Sequence, residues 1–500
     1  MRVFRNIVTI TIAASIALGF STSANEKLDI KHAAKKLHPF ANLKQVTGKW
    51  LRVGQDKRYM VPTADPFVRI RPDGSVTVYG TGKRVLIFKS MDDFLRGGKY
   101  RVEELPFYYS DGKTALRGQE AIWDVNKYKF SLDEKTNFFK EFPKEESGIK
   151  EIIRNGNDID IHLDDGTKIQ SFLEDGVLDV FYGGVINPTG DRKYARFPAD
   201  NKARRSYAFV KSRDGKLIQL PKPLFGEATM STTSWLGHTY GRHVITDGRG
   251  NLILSKPGEF SKRGGRPVVC YEMISRLTGM GMPVTEPFCR EMISPFKAAD
   301  DASEIKMFHI DETKPFPSLV RTDGPTPAES SILMEGPRVT AFDNPVSGQR
   351  QYFMLVSGGD FSTDRYGIHV LISDTMKGPF KPLMKPDGRD LLDIGDEIRK
   401  TYRLSWGPAR AHAFQDEQGR WKITFHATDK DILPGENYST LDWDTLNKFN
   451  RNVYVADLDI GFDAHGNPGL QIQHRVPGSH LKVQAPRGTH CLVRALQELL

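Results

Sequence analysis

The chain has 500 residues, with 71 Lys and Arg against 62 Asp and Glu and a formal net charge of +9. Spread over this length, the excess does not mark a nucleic-acid binder, but it suits an acidic or sulfated substrate. Cysteine is scarce (Cys270, Cys289 and Cys491) and forms no Cys-x-x-Cys, so a structural zinc site is not indicated.

Residues 1–24 predict a secretory signal. Arg2 and Arg5 lead, a mostly apolar run from Ile7 to Phe20 follows, and Thr22-Ser23-Ala24 places small residues at the cleavage point. The run is too short to span a membrane. The expectation is an exported bacterial protein, periplasmic or secreted, with 25–60 as a lead-in. Next comes ADPFVRIRPDGSVTVYGTG (64–82). It reads as a β-hairpin around Pro72-Asp73-Gly74, with Asp65 at its mouth just before Pro66. An acid there is either a turn former or a carboxylate held on a rigid strand edge.

Short helices are expected over 91–104, 387–402 and the terminal RALQELL. The rest is β-like runs broken by turn signals: DIDIHLDDG (158–166), SYAFVKSRDGK (206–216), HVITDGRGNLILS (243–255), QYFMLVSGG (351–359), YGIHVLIS (366–373), AHAFQDEQGRWKITFHA (411–427) and NVYVADLDI (452–460). DRKYARFPADNKARR (191–205) carries Arg192, Lys193, Arg196, Lys202, Arg204 and Arg205. It reads as a basic loop, either solvated or drawing in a polyanionic glycan. Cys270 and Cys289 lie close enough in sequence to close a loop in an oxidising compartment, leaving Cys491 over. Hairpins recurring at irregular intervals suggest radial repetition, as in a propeller, with a β-sandwich as the alternative. A propeller brings the inner strands of distant segments together at its centre.

A second carboxylate, Glu335, stands in SILMEGPRVTAF beside Leu333 and Met334, an apolar setting that suits a general acid. Glu335-Gly336-Pro337, the strand at 352–359 and the Ser373–Phe380 stretch follow one another in an order that resembles the fourth blade of glycoside hydrolase family 43. Asp65-Pro66-Phe67-Val68, Asp73-Gly74 and Tyr79-Gly80-Thr81 resemble that family's first blade, and WGPARAHAFQDEQGRWKITFHATD (406–429) its fifth. The resemblance implies an all-β, five-bladed propeller over 61–475 with insertions around 90–235, and a tail over 476–500. It implies an inverting glycosidase, with Asp65 as general base and Glu335 as general acid on opposite sides of the anomeric carbon. Exo-action on a polysaccharide or oligosaccharide, including a sulfated algal galactan, is the expected activity.

The family's third carboxylate, an Asp before Pro, aligns with Arg242-His243. Asp124 and Asp179 are the other candidates, while Asp247 fits the later turn. His243 is a candidate for proton transfer. The family's fifth-blade His, near a central calcium, aligns with Arg410, and His412 comes two residues later. A structural calcium is therefore doubtful and no cofactor is required. Arg242, Arg338 and Arg410 would suit a carboxylated or sulfated sugar. Asp124, His412, Trp123 and Trp406 join them as expected substrate contacts, and Tyr182, Trp235 and Tyr240 are further stacking candidates against a core role. The alternative function is a propeller that binds glycan without cleaving it. The sucrose- and fructan-cleaving propellers, with Asn-Asp-Pro and Glu-Cys, fit less well.

Overall fold

The computed structural model describes residues 44–45, 52–53, 58–59, 64–95, 99–116, 122–131, 148–174, 176–186, 204–225, 239–299, 303–321, 329–344, 347–359, 365–396, 399, 404–429, 452–462 and 468–472. The expected signal, the tail, Cys491, Trp235 and residues 191–203 of the basic loop lie outside these residues. So do the side chains of Trp406 and Tyr240.

Among the described residues the fold is almost entirely β. After β1 (Lys44–Gln45), β2 (Arg52–Val53) and β3 (Arg58–Tyr59), the first meander comprises β4 (Phe67–Ile70), β5 (Val76–Tyr79), β6 (Arg84–Phe88) and β7 (Tyr100–Glu104). Its first turn forms as the sequence requires. Gly74 takes φ 77°, and the Asp73 carboxylate accepts the Ser75 N–H at 2.9 Å. The helix expected over 91–104 is cut short: α1 spans Met91–Leu95, and β7 then begins. Gly97-Gly98 is a poor helix interior, and Tyr100 and Val102 pack beside the third apolar core described below.

A second sheet orders β8 (Phe107–Tyr108), β15 (Leu217–Gln219), β14 (Arg204–Lys211), β13 (Val177–Ile186) and β9 (Ile122–Ser131). Between β9 and β13 the chain builds a separate antiparallel sheet of β10 (Ile149–Asn155), β11 (Asp158–Leu163) and β12 (Lys168–Phe172). The largest sheet starts with β16 (Thr239–Val244), β18 (Val268–Leu277) and β19 (Pro283–Ser294). A parallel contact joins β19 to β22 (Ile332–Asp343), which continues antiparallel through β23 (Arg350–Gly358), β24 (Gly367–Ser373) and β25 (Lys381–Pro382). Short strands β17 (Thr246–Asp247), β20 (Lys297–Ala298) and β21 (Ile305–Lys306) attach to it. A last sheet holds β26 (Leu404–Gln415), β27 (Trp421–Asp429), β28 (Asn452–Phe462) and β29 (Pro468–Ile472), with β1 on its far edge.

Three apolar clusters fill these sheets. Cys270 and Cys289 are direct cross-strand partners on β18 and β19 and form a disulfide with Cα atoms 4.0 Å apart. Within the expected helix at 387–402, residues 387–395 run as turns and bridges, while 396 and 399 are helical and the Arg399 N–H donates to the Gly395 carbonyl. The Asp393 carboxylate accepts N–H groups from Ile368 and Gly395, capping the start of that turn.

Candidate active site

Five strands and the segment leading into the first of them come together: β4, β9, β16, β22 and β26. The meeting is visible in one side chain. Arg338, on β22, donates from Nη1 to the carbonyls of Pro66 (2.6 Å) and Arg410 (3.2 Å). Its Nη2 donates to the Asp65 carbonyl (3.2 Å) and to Asp124 Oδ1 (3.3 Å), and its Nε to His243 Nε2 (3.2 Å).

The backbone here is unusual as well. Among the described residues, the non-glycine residues with positive φ are Asp65 (55°), Asp124 (48°) and Arg410 (51°). Each carries a Cβ into the left-handed region, at a cost of order 1–3 kcal/mol, and such residues concentrate at functional sites. All three touch this one cluster. Gly336 has φ 59°, and a Cβ there would lie 2.5 Å from Arg410 Nη1, so backbone and space both demand glycine.

The carboxylates surround Arg410. Its Nη2 lies 3.3 Å from Glu335 Oε2 and 3.2 Å from Glu272 Oε1, and its Nε lies 3.6 Å from Asp65 Oδ1. Tyr366 OH donates to Glu335 Oε2 at 3.0 Å and accepts from Arg410 Nε at 3.1 Å. Thr81 Oγ1 donates to Asp65 Oδ2 and accepts the Asp124 N–H at 3.2 Å. The Asp65 N–H donates to His426 Nδ1 at 3.0 Å, and the Val68 N–H to His412 Nδ1 at 3.1 Å. Asp65 and Glu335 thus both meet one guanidinium, at its Nε and Nη2, and Glu335 keeps 22% of its side chain exposed.

Charge balance explains the protonation pattern. Three guanidiniums (Arg242, Arg338, Arg410) meet four carboxyls (Asp65, Asp124, Glu272, Glu335), and burying a net charge is costly, so one carboxyl holds a proton. Glu272 is the one placed to do so. Its residue is 1% exposed, and burial raises it to about 7, with Arg410 opposing and the nearby Glu335 adding to the rise. Its Oε2 accepts the Gly336 N–H at 2.5 Å. Asp124 behaves oppositely. Burial pushes it up, but His243, Arg338 and Arg242 outweigh burial and hold it well below the usual carboxylate range. Arg410 is held well above its ordinary value, because Glu272, Tyr366, Glu335 and Asp65 outweigh its burial.

Several sequence-based assignments change. His243 was expected to move protons, but it is buried, and burial with the Arg338 charge lowers it to about 4, so the ring is neutral at pH 7. Its Nε2 lies 3.2 Å from Arg338 Nε and 3.3 Å from Asp124 Oδ2, so the ring is held within that buried ion pair. Arg338, Arg242, Asp124 and His412, expected to touch substrate, are buried, as is Asp65 itself. Arg242 Nη2 donates to the Trp123 carbonyl at 3.1 Å, and burial together with Arg338 drives His412 well below its ordinary value. Trp123 is half-buried beside them. Tyr182 is fully buried and donates to the Pro295 carbonyl at 2.6 Å, a core role. Asp179 pairs with Lys127 across β13 and β9, and Asp247 caps its own turn through Arg249 and Asn251. Asp65, Asp124, Glu335 and Arg410 are brought together.

Glu272, Thr81, Tyr366 and His426 were not singled out from sequence as site residues. Glu272 had a signal: it is the lone charge in the apolar run PVVCYEMIS (267–275), where an acid is expensive to bury without a purpose. Among the described residues, no group of three or more His, Cys, Asp and Glu side chains could hold a metal ion.

No family profile matches the sequence, and no curated protein matches it. Solved structures do resemble it. A thermostable family-43 glycoside hydrolase aligns with TM-score 0.45 and 13% identity, over 85% of this chain and 96% of its own. An endo-1,4-beta-xylanase from Bacteroides thetaiotaomicron aligns with TM-score 0.42 and 13% identity, over 83% and 95%. An alpha-L-arabinanase of Cellvibrio cellulosa aligns with TM-score 0.39 and 12% identity, over 85% and 99%. Likeness at this level carries no weight for activity, which has to be judged from the site itself.

Proposed function

We propose that this protein is a glycoside hydrolase built on a five-bladed propeller, cleaving a terminal sugar from a polysaccharide or oligosaccharide by single displacement with inversion. The observation that carries the reading is the pair Asp65 and Glu335. They lie 270 positions apart in sequence (335 minus 65), both ion-paired to one guanidinium, among three left-handed residues. Inverting glycosidases need room for a water between carboxyls roughly 6.5–9.5 Å apart. Here both carboxylates meet the Arg410 guanidinium, so that side chain has to give way to the water for the reaction to run.

In this mechanism Asp65 takes a proton from the water. The water oxygen bonds to the anomeric carbon as the glycosidic C–O bond breaks, and Glu335, having taken over the one proton that Glu272 holds at rest, gives it to the leaving oxygen. Thr81 and the His426 ring orient Asp65, and Tyr366 orients Glu335. Glu272 sits behind Glu335 as a proton-holding neighbour. The three site arginines are balanced by carboxyls, so an acidic or sulfated chain would be recognised outside this cluster. An exported setting, periplasmic or secreted, fits the Cys270–Cys289 disulfide.

One observation favours a second reading, a glycan-binding propeller without turnover: both carboxylates are already engaged by the Arg410 guanidinium. The experiment that decides is a release assay on plant and algal polysaccharides and their oligosaccharides, sulfated ones included, with Glu335→Gln in parallel. Release by wild type alone supports the hydrolase, and following the anomer first formed tests inversion. Glycan binding by both proteins, with no release by either, supports the second reading.

A further inference from the structure

Arg338 is 3% exposed, so it reaches no substrate. It is nevertheless the side chain on which the site converges. A guanidinium has five N–H groups in one plane. Arg338 has five acceptors for them: the carbonyls of Asp65, Pro66 and Arg410, Asp124 Oδ1 and His243 Nε2. These lie on four segments, 72 to 273 residues away in sequence.

Two of the three carbonyls belong to Asp65 and Arg410, which are left-handed. A residue turned out of the β region cannot keep its place in a regular ladder, so its buried carbonyl needs another donor. Three main-chain oxygens and a carboxylate oxygen are also the donors a hard cation such as calcium prefers. Here they point at N–H groups, and the Asp124 charge answers that of the guanidinium.

We infer that Arg338 is a positioning residue: a fixed internal cation that ties the inner strands together and thereby sets Asp65 in register with Glu335 and Arg410. The inference rests on the hydrolase reading for its kinetic consequence, but not for its structural one. A lysine offers three donors from a point charge and cannot reproduce the fork.

The test uses the full-length protein with Arg338→Lys and Arg338→Ala. Sugar release and thermal unfolding are measured with and without added guanidinium ion below denaturing concentration, and with methylammonium as control. Arg338→Lys is expected to fold and to lose kcat by about 100-fold, the scale of a ~1 Å misplacement, with KM within about twofold because no substrate contact is lost. Guanidinium, but not methylammonium, is expected to recover kcat in Arg338→Ala. Wild-type kcat in Arg338→Lys would overturn the inference. So would guanidinium restoring the melting temperature of Arg338→Ala without its kcat, which would make Arg338 merely structural. Should Arg338→Ala not fold, Arg338→Lys decides alone. Should wild type release no sugar, the hydrolase reading has failed. The melting arm then judges the hub by itself, supported by a guanidinium-specific rise in Arg338→Ala and overturned by none.

Discussion

The small sheet β10–β12 and the convergence of β4, β9, β16, β22 and β26 follow opposite rules. In the small sheet the chain alternates. Ile159, Ile161 and Leu163 of β11 face inward and are buried, while Asp160 faces out and pairs with Lys168 of the neighbouring strand. Its partners lie within about one hairpin of each other in sequence, and its charges are solvated. At the convergence the charges are inside, their partners come from across the chain, and the backbone is held away from its preferred wells. The first region spends its residues on stability. The second accepts strain to place a few polar groups.

This contrast can be broken or sharpened by measurement. The largest effect is expected at the acid and base. Glu335→Gln and Asp65→Asn should each lower kcat by ~10²–10⁴-fold, with little change in melting temperature, read in the release assay and by calorimetry. Ile161→Ala should do the reverse. It removes a fully buried side chain and should cost about 2–5 kcal/mol of stability in denaturant titration while leaving kcat of the folded protein unchanged. Equal loss of kcat in this variant would erase the distinction between the two regions.

Thr81→Val comes next. It deletes a hydrogen bond to the Asp65 carboxylate, worth about 1.5–3 kcal/mol, and should lower kcat by ~10–100-fold without moving KM. Glu272 makes a smaller, pH-dependent contribution. Its folded value is about 7 against an ordinary 4.5, so the folded state holds the proton more tightly. That contribution is complete below about pH 4.5 and is lost as pH rises towards 7. His243 has the opposite sign. With its folded value near 4 against 6.5, its contribution is present above 6.5 and lost as pH falls. Melting temperature followed from pH 4 to 8 should therefore keep its acid-side fall in Glu272→Gln but lose the decline between about 4.5 and 7. An unchanged profile would remove Glu272 as the proton holder. The smallest effect belongs to Asp160→Asn, an exposed pair, expected within about 0.5 kcal/mol of wild type.

Part of the site was legible because the chain marks it with residues of restricted geometry. Asp65 precedes Pro66, Glu335 precedes Gly336-Pro337, and Arg410 follows Gly407-Pro408, so each acid or base stands next to punctuation that ends or bends a strand. Asp124 has no such marker and was only one of several candidates. Glu272 stayed hidden because β18 reads as an ordinary buried strand, and its partners Arg410 and Gly336 are 138 and 64 residues away. The helix expected within 91–104 stops at Leu95 because the chain beyond it is taken up by the pairing of β6 with β7.

The sequence by itself determined the strands, the turns and the chemical types available: alternation sets which faces are apolar, and Pro and Gly set where strands stop. Tertiary structure alone decided which of the charged residues meet. Arg338 shows why. Three of its five hydrogen bonds go to main-chain carbonyls, which every residue possesses, so no side-chain pattern can announce them before the strands converge.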